Sequence, residues 1–344
     1  MRIEAVAVEF PSRRVTNEDI IREIEFRSKK FSGNLSATLT LIRRMLEASG
    51  SVTRTWLSPG ESSLDVTLRA CRRAIASLGI DNRIDLLIDA SVHSELIEPA
   101  TSNLIAHELG LDRVECFDLK EACDGWMKAA KMADALTRSG RYRRILVVNQ
   151  EFSLTHSDTL PKLFDFSSRE QLKWRFPALT VGEAAAATIF RFAPGRPWHC
   201  SNTTHNELFD LCTITPPWYG SNPLASPRIA KDGPCLFTSY GLELRAHGLP
   251  LMKAEFQRSG IKYEEVDVLF THSSSKSDWM NLAVQVGLGN KLYDIYARCG
   301  NVVSAAIPAA MALASEDGTL KPGHRVLALV ASAGMSFSLA HFTY

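Results

Sequence analysis

Apolar runs and helix-period stretches alternate along this chain. Ile84-Asp85-Leu86-Leu87-Ile88-Asp89-Ala90-Ser91, Val114 to Leu119 and Arg144-Ile145-Leu146-Val147-Val148 read as strands. So do Val266-Asp267-Val268-Leu269-Phe270-Thr271 and Arg325-Val326-Leu327-Ala328-Leu329-Val330. The runs are apolar throughout rather than alternating, which predicts sheets covered on both faces. Helical stretches separate them. Ser62 and Asp65 offer capping groups, and Leu64, Leu68, Cys71, Ile75 and Leu78 then fall on one helix face. Strands alternating with helices predict parallel sheet layers, hence an α/β fold. The opening Met1-Arg2-Ile3-Glu4-Ala5-Val6 reads as the start of a strand and lacks a signal peptide's long apolar stretch.

The pattern occurs twice. Gly79-Ile80 and the strand from Ile84 are echoed by Gly260-Ile261 and the strand from Val266. Each copy runs into a helix-like stretch ending in Gly-Leu, at Gly110-Leu111 and Gly287-Leu288. Phe117-Asp118-Leu119-Lys120-Glu121-Ala122-Cys123 is then matched, without a gap, by Tyr293-Asp294-Ile295-Tyr296-Ala297-Arg298-Cys299, which makes Cys299 the expected counterpart of Cys123. Each copy ends in an Ala-rich helix and a buried strand. Two halves result, 1–194 and 195–344, with a break at Pro194-Gly195. If a pseudo-two-fold axis relates them, the helix starts after Cys123 and Asn301 meet near it. Residues 25–60, basic and irregular, and 153–179, polar and aromatic, stand outside the repeat as lids. Residues 213–238 read as a long loop.

Charge and composition narrow the function. Lys and Arg balance Asp and Glu to a formal +1, so no overall field points to nucleic acid or an acidic surface. No apolar run reaches the ~18 residues of a membrane span. Seven widely spaced cysteines include no C-x-x-C, which argues against a disulfide framework and against a metal site. A reducing cytoplasm is the expected location.

The chemistry is expected where an apolar run stops at a turn before a helix, at Cys123. Backbone N–H groups and the helix dipole at such a turn favour thiolate, which can attack an acyl carbonyl. His272, at the end of a strand, and Asn301, in Gly300-Asn301-Val302-Val303-Ser304-Ala305-Ala306-Ile307-Pro308, supply polar partners. Asn301 can also cap its helix.

Along nearly its whole length the chain resembles the thiolase fold, and within it the ketoacyl synthase III family. The resemblance rests on Arg14-Val15-Thr16-Asn17-Glu18-Asp19-Ile20, on Ala122-Cys123-x-Gly-aromatic, and on Thr180-Val181-Gly182-Glu183-Ala184-Ala185-Ala186. It extends to Gly300-Asn301-x-x-Ser304-Ala305-Ala306-x-Pro308 and the Ala333-Gly334 turn. It implies duplicated βαβαβαββ halves in a five-layer αβαβα sandwich. It implies a homodimeric acyltransferase working on acyl-CoA or acyl carrier protein thioesters without a cofactor. Cys123 becomes acylated; its N–H and that of Ala333 form the oxyanion hole, and Gly334 beside them binds substrate. His272 and Asn301 bind the oxygen of a second thioester and stabilise its enolate. A Claisen condensation then yields a β-ketoacyl product. Ser91-Val92-His93-Ser94-Glu95-Leu96-Ile97-Glu98-Pro99 is similar to a segment of olefin-pathway acyl-CoA condensing enzymes. That similarity makes Glu98 a base acting across a dimer interface.

Departures from the family pattern leave alternatives. Asp124 follows the nucleophile where a small residue is usual, and a carboxylate there disfavours thiolate; it is also placed to contact a polar acyl group. Leu46-Glu47-Ala48-Ser49 stands where a Trp-x-x-x-Arg coenzyme A contact precedes the glycine in typical members, so a carrier protein stays open as donor. Ala333 replaces a glycine, and its N–H serves only where φ is not forced positive. The rival functions are acyl transfer from Cys123 to an oxygen or nitrogen nucleophile, and a non-catalytic subunit of a heterodimeric synthase.

Overall fold

A computed structural model describes residues 1–152, 160–195, 197–220 and 226–344. The first half contributes β1 (Arg2–Glu9), β2 (Arg13–Thr16), β3 (Thr53–Trp56), β4 (Leu86–Asp89), β5 (Glu115–Asp118), β6 (Arg144–Glu151) and β7 (Ala184–Arg191). The second contributes β8 (His199–Thr204), β9 (Cys212–Thr213), β10 (Thr238–Ser239), β11 (Val268–Thr271), β12 (Leu292–Tyr293), β13 (Arg325–Ser332) and β14 (Ser336–Thr343).

Two five-stranded sheets form, in the orders β1-β7-β6-β4-β5 and β8-β14-β13-β11-β12. The orders correspond strand for strand. In each, three strands run parallel and two antiparallel strands close the edge, with Ile88 opposite Val147 in one sheet and Phe270 opposite Ala328 in the other. The duplicated plan expected from the sequence is therefore present.

Helices form three layers around the two sheets, five layers in all. Gly125–Arg138 and Ala306–Glu316 lie between the sheets in one core with residues of β4, β6, β11 and β13. Their alanines allow close approach, and Gly125 is indispensable to it: a Cβ there would lie 2.3 Å from the Ala90 carbonyl oxygen. Ser63–Ala76 and Thr101–Glu108 cover the outer face of the first sheet. Ser62 caps the former by accepting the Asp65 N–H. Gly241–Ser259 and Lys276–Gln285 cover the second.

The region 25–60 departs from its expected irregularity. Leu35–Ser49 is a helix, capped by the Asn34 side chain on the Ala37 N–H and ended by Gly50 at φ 81°. Thr38, Leu39, Ile42 and Leu46 supply its buried face. Arg43 pairs with Glu18 at 2.8 Å, and Lys29, Lys30 and Arg44 are exposed. This basic surface masks the helical period in the sequence. The two expected lids share one apolar cluster, with Ile20, Ile24, Ile42 and Trp56 against Phe164, Phe166 and Leu179. Residues 153–159 of the second lid lie outside the described residues, as do 221–225 of the loop between β9 and β10.

Candidate active site

Two turns at the starts of the central helices build the site. After β5 the chain makes a short 3-10 turn, Ala122–Asp124, with Ala122 at φ 45°, and enters the helix at Gly125. In the second half Val303–Ala305 makes the same turn, with Val303 at φ 49°, ahead of Ala306. Both left-handed residues carry side chains, a strain on the order of 1–3 kcal/mol held by the surrounding packing. The turns touch: a Cβ on Gly125 would lie 3.3 Å from Ser304 Cβ. Aligning the two strained residues makes Ser304, not Cys299, the counterpart of Cys123. The ungapped match fails because a short helix, Tyr296–Cys299, lengthens the second copy before Gly300. Cys299 itself is buried filler.

Cys123 keeps part of its residue surface open while its sulfur is enclosed. Burial pushes the thiol well above its usual range, and Cys212, Glu151 and Asp124 push in the same direction. The backbone N–H of Ala333 donates to the sulfur and opposes them. The helix start therefore does not yield a resting thiolate, contrary to the sequence expectation: desolvation and neighbouring acids outweigh the dipole. Ala333 is not among the residues with positive φ. Gly334 takes that role at φ 111°, so the substituted turn still presents an amide to the sulfur.

The oxyanion turn is fastened to the cysteine turn. The Asp124 N–H donates to Ser332 Oγ at 3.1 Å, and Ser336 Oγ donates to Glu121 Oε1 at 3.1 Å. Asp124 has the partner its position demanded. It is fully buried, Ser338 Oγ donates to its Oδ2 at 2.7 Å, and Lys128 Nζ lies 3.8 Å away. Burial raises its carboxyl to about 7.

His272 follows β11 directly and is buried; its N–H donates to the Leu329 carbonyl at 3.0 Å. Burial lowers its imidazole to about 4, only partly offset by the Val303 carbonyl. The ring is thus neutral at physiological pH, with one donor and one acceptor nitrogen, and among the described residues Nδ1 has no hydrogen-bond partner. Asn301 is held by its backbone: its N–H donates to Thr180 O and its carbonyl accepts from Gly182, both at 2.9 Å. Asn301 Oδ1 accepts the Val303 N–H at 3.0 Å, and among the described residues the amide nitrogen has no hydrogen-bond partner, which leaves it as the donor. Val302 N–H reaches Ser273 Oγ at 3.4 Å, so the histidine and asparagine loops adjoin.

A buried histidine at about 4 makes a stability prediction. The unfolded imidazole sits near 6.5 and the folded one near 4, so stability is complete above about 6.5 and is lost as pH falls toward about 4. The stability advantage of wild type over His272→Gln is expected to shrink across that window. Thermal unfolding of both proteins at several pH values checks it; a constant gap refutes it.

Glu98 stands apart. It is exposed, and among the described residues no hydrogen bond or ion pair joins it to Cys123, His272 or Asn301. Glu151 escaped the sequence reading, and Ser304 entered it only as part of a motif, without a role. Glu151 ends the fully buried β6, and Ser304 Oγ donates to its Oε1. The signal was available: Asn149-Gln150-Glu151 is a polar end on an apolar strand, at the carboxyl edge where open α/β sheets place ligands.

Residues 117–197 match the profile of the 3-oxoacyl-[acyl-carrier-protein] synthase III family, and 256–344 match the profile of its C-terminal part. A β-ketoacyl-[acyl-carrier-protein] synthase III of Symbiobacterium thermophilum is 27% identical over 339 residues, 97% of this chain and 94% of the relative. The chain is a ketoacyl synthase III-like condensing enzyme of the thiolase fold. It is an acyltransferase, and its chemistry is acylation of a cysteine followed by Claisen condensation to a β-ketoacyl product. Solved structures agree with the condensing enzyme in fold. OleA of Xanthomonas campestris, with lauric acid and lauroyl-CoA bound, superposes with a TM-score of 0.82 at 21% identity, over 99% of this chain and 98% of that one. FabH of Xanthomonas oryzae pv. oryzae gives 0.81 at 22% identity, over 99% and 98%. Among the described residues of the condensing enzyme, no helix is long and apolar enough to cross a membrane.

Proposed function

We propose that Cys123 is the acylated cysteine and that His272 and Asn301 activate the second thioester. The observation that carries this reading is the abutment of the two strained turns. The Ala333 amide lies on the sulfur of one, and a buried neutral imidazole with an oriented carboxamide flanks the other. In the first step the sulfur attacks an acyl thioester, and the Cys123 and Ala333 N–H groups, with Gly334 shaping the turn, hold the oxyanion. In the second, His272 and Asn301 donate to the thioester oxygen as enolate charge develops, and the carbanion attacks the acyl-cysteine. No cofactor is required beyond the thioesters. Asp124, committed to Ser338 and Lys128, shapes the turn from behind.

The donor in this reading is an acyl-CoA or an acyl carrier protein, and the enzyme works in the cytoplasm as a homodimer. Malonyl decarboxylation supplies the carbanion directly. Deprotonation of a second acyl thioester needs a base, and Glu98 of the partner subunit is the candidate, since within one chain Glu98 faces solvent.

Intact mass after incubation with lauroyl-CoA tests the first step; adding malonyl-CoA, or more lauroyl-CoA alone, shows which substrate discharges the adduct. His272→Ala and Asn301→Ala are expected to load normally and to condense on the order of 10²- to 10³-fold more slowly. Loss of loading in either variant would reassign those residues.

A further inference from the structure

The mechanism above leaves one proton without a destination. The Cys123 thiol is not ionised at rest, so loading has to remove its proton. His272 is a poor acceptor, because burial keeps its imidazole neutral and weakly basic, near 4.

Glu151 occupies the remaining polar corner. It is 1% exposed and sits at the end of β6. Its Oε1 accepts from Ser304 Oγ and from the Val92 N–H at 3.1 Å. Ser304 is held in turn by Asn149 Nδ2, at 3.0 Å. The Oε2 of Glu151 is buried and has no hydrogen-bond partner among the described residues. Ser304, from the opposite half, packs on Gly125, two residues from Cys123, and so ties the Glu151 carboxyl to the cysteine turn of its own half.

We propose that Glu151 is the base that takes the Cys123 thiol proton during acyl loading and returns it to the departing thiol. The inference rests on Cys123 being the acylated residue. The carboxylate takes the S–H proton while the sulfur pair forms the new C–S bond. The tetrahedral oxyanion then collapses and breaks the donor's acyl–sulfur bond. The leaving thiolate takes the proton from the Glu151 carboxylic acid and departs as a free thiol. One thioester replaces another, with no oxidant or further reactant.

The electrostatics suit the task. Burial raises the Glu151 carboxyl to about 7, where a general base is most effective. Lys120 favours its anion and Asp89 opposes it, and the Glu151 charge in turn raises the Cys123 thiol. Lys120 is fixed there by donating to the carbonyls of Ser91 at 2.9 Å, Val92 at 3.2 Å and His93 at 2.9 Å.

Rapid-mixing intact mass of loading from lauroyl-CoA, across about pH 6 to 9, tests the proposal in wild type, Glu151→Gln, Glu151→Asp and Asp124→Asn. The carboxamide introduced by Glu151→Gln would keep an oxygen for Ser304 and Val92. Wild-type loading is expected to rise with pH through about 7. Glu151→Gln is expected to lose that limb and to load about 10²-fold more slowly. Glu151→Asp should recover part of the rate with a limb, and Asp124→Asn should keep the limb. If Glu151 merely burdens the thiol electrostatically, Glu151→Gln loads faster, because a neighbouring negative charge is gone; that result overturns the proposal. So does a slower Glu151→Gln whose limb is unchanged, or loss of the limb in Asp124→Asn alone. Absence of any Cys123 adduct in wild type would instead defeat the assignment of the nucleophile itself.

Discussion

Cys123→Ala is expected to end covalent loading and to lower turnover by on the order of 10⁴-fold or more, since no oxyanion hole or bound thioester substitutes for the missing bond-forming atom. The fold should survive. The sulfur accepts one amide, from Ala333, and Cys123 packs only at the margin of the central core, so a smaller side chain there removes few contacts. Intact mass with lauroyl-CoA reads the adduct, and thermal unfolding reads the fold. The informative failure would be an adduct that persists on Cys212, whose ionisation is coupled to that of the Cys123 thiol. That result would move the nucleophile to β9.

Gly182→Ala is expected to be the most damaging substitution of a single methyl group. A Cβ at Gly182 would stand 1.8 Å from the Cys299 carbonyl oxygen and 3.0 Å from its carbon, both backbone atoms that cannot swing aside. The Gly182 N–H also holds the Asn301 carbonyl at 2.9 Å. Either the Val181–Asn301 bridge opens or the chain fails to fold, at a cost on the order of 4–5 kcal/mol or more. Gly79→Ala is the control. Gly79 has a positive φ, 72°, but open space where its Cβ would go, so only the left-handed strain of about 1–2 kcal/mol applies. Urea unfolding of the two variants checks the contrast, and equal losses would refute the steric account. Any folded Gly182→Ala should load its cysteine and fail at condensation, because the displaced residue is Asn301.

Much of the architecture is readable from the chain because strand-turn-helix punctuation is local. Cys123 and His272 each sit where an apolar run stops, Asn301 sits in a glycine turn ahead of an Ala-rich helix, and the doubled order of strands follows from doubled punctuation. What is not readable depends on through-space facts. The true counterpart of Cys123 is hidden by the extra helical turn Tyr296–Cys299, which only the matching positive φ at Ala122 and Val303 exposes. The helix Leu35–Ser49 is obscured because its basic face is as prominent in sequence as its apolar one. The direction of the Cys123 shift escapes a sequence reading because a helix dipole is visible there and burial is not. Glu151 and Ser304 pair across 153 positions, a separation that no local pattern encodes.

The abutting helix starts carry a kinetic consequence. Ser304 locks one turn to Glu151 and packs on Gly125 of the other, and Ser332 and Ser336 stitch the oxyanion turn to the same spot. In the proposed mechanism, loading and carbon–carbon bond formation therefore share one cross-stitched joint, and passing from one step to the other is expected to need no shift of one helix start against the other.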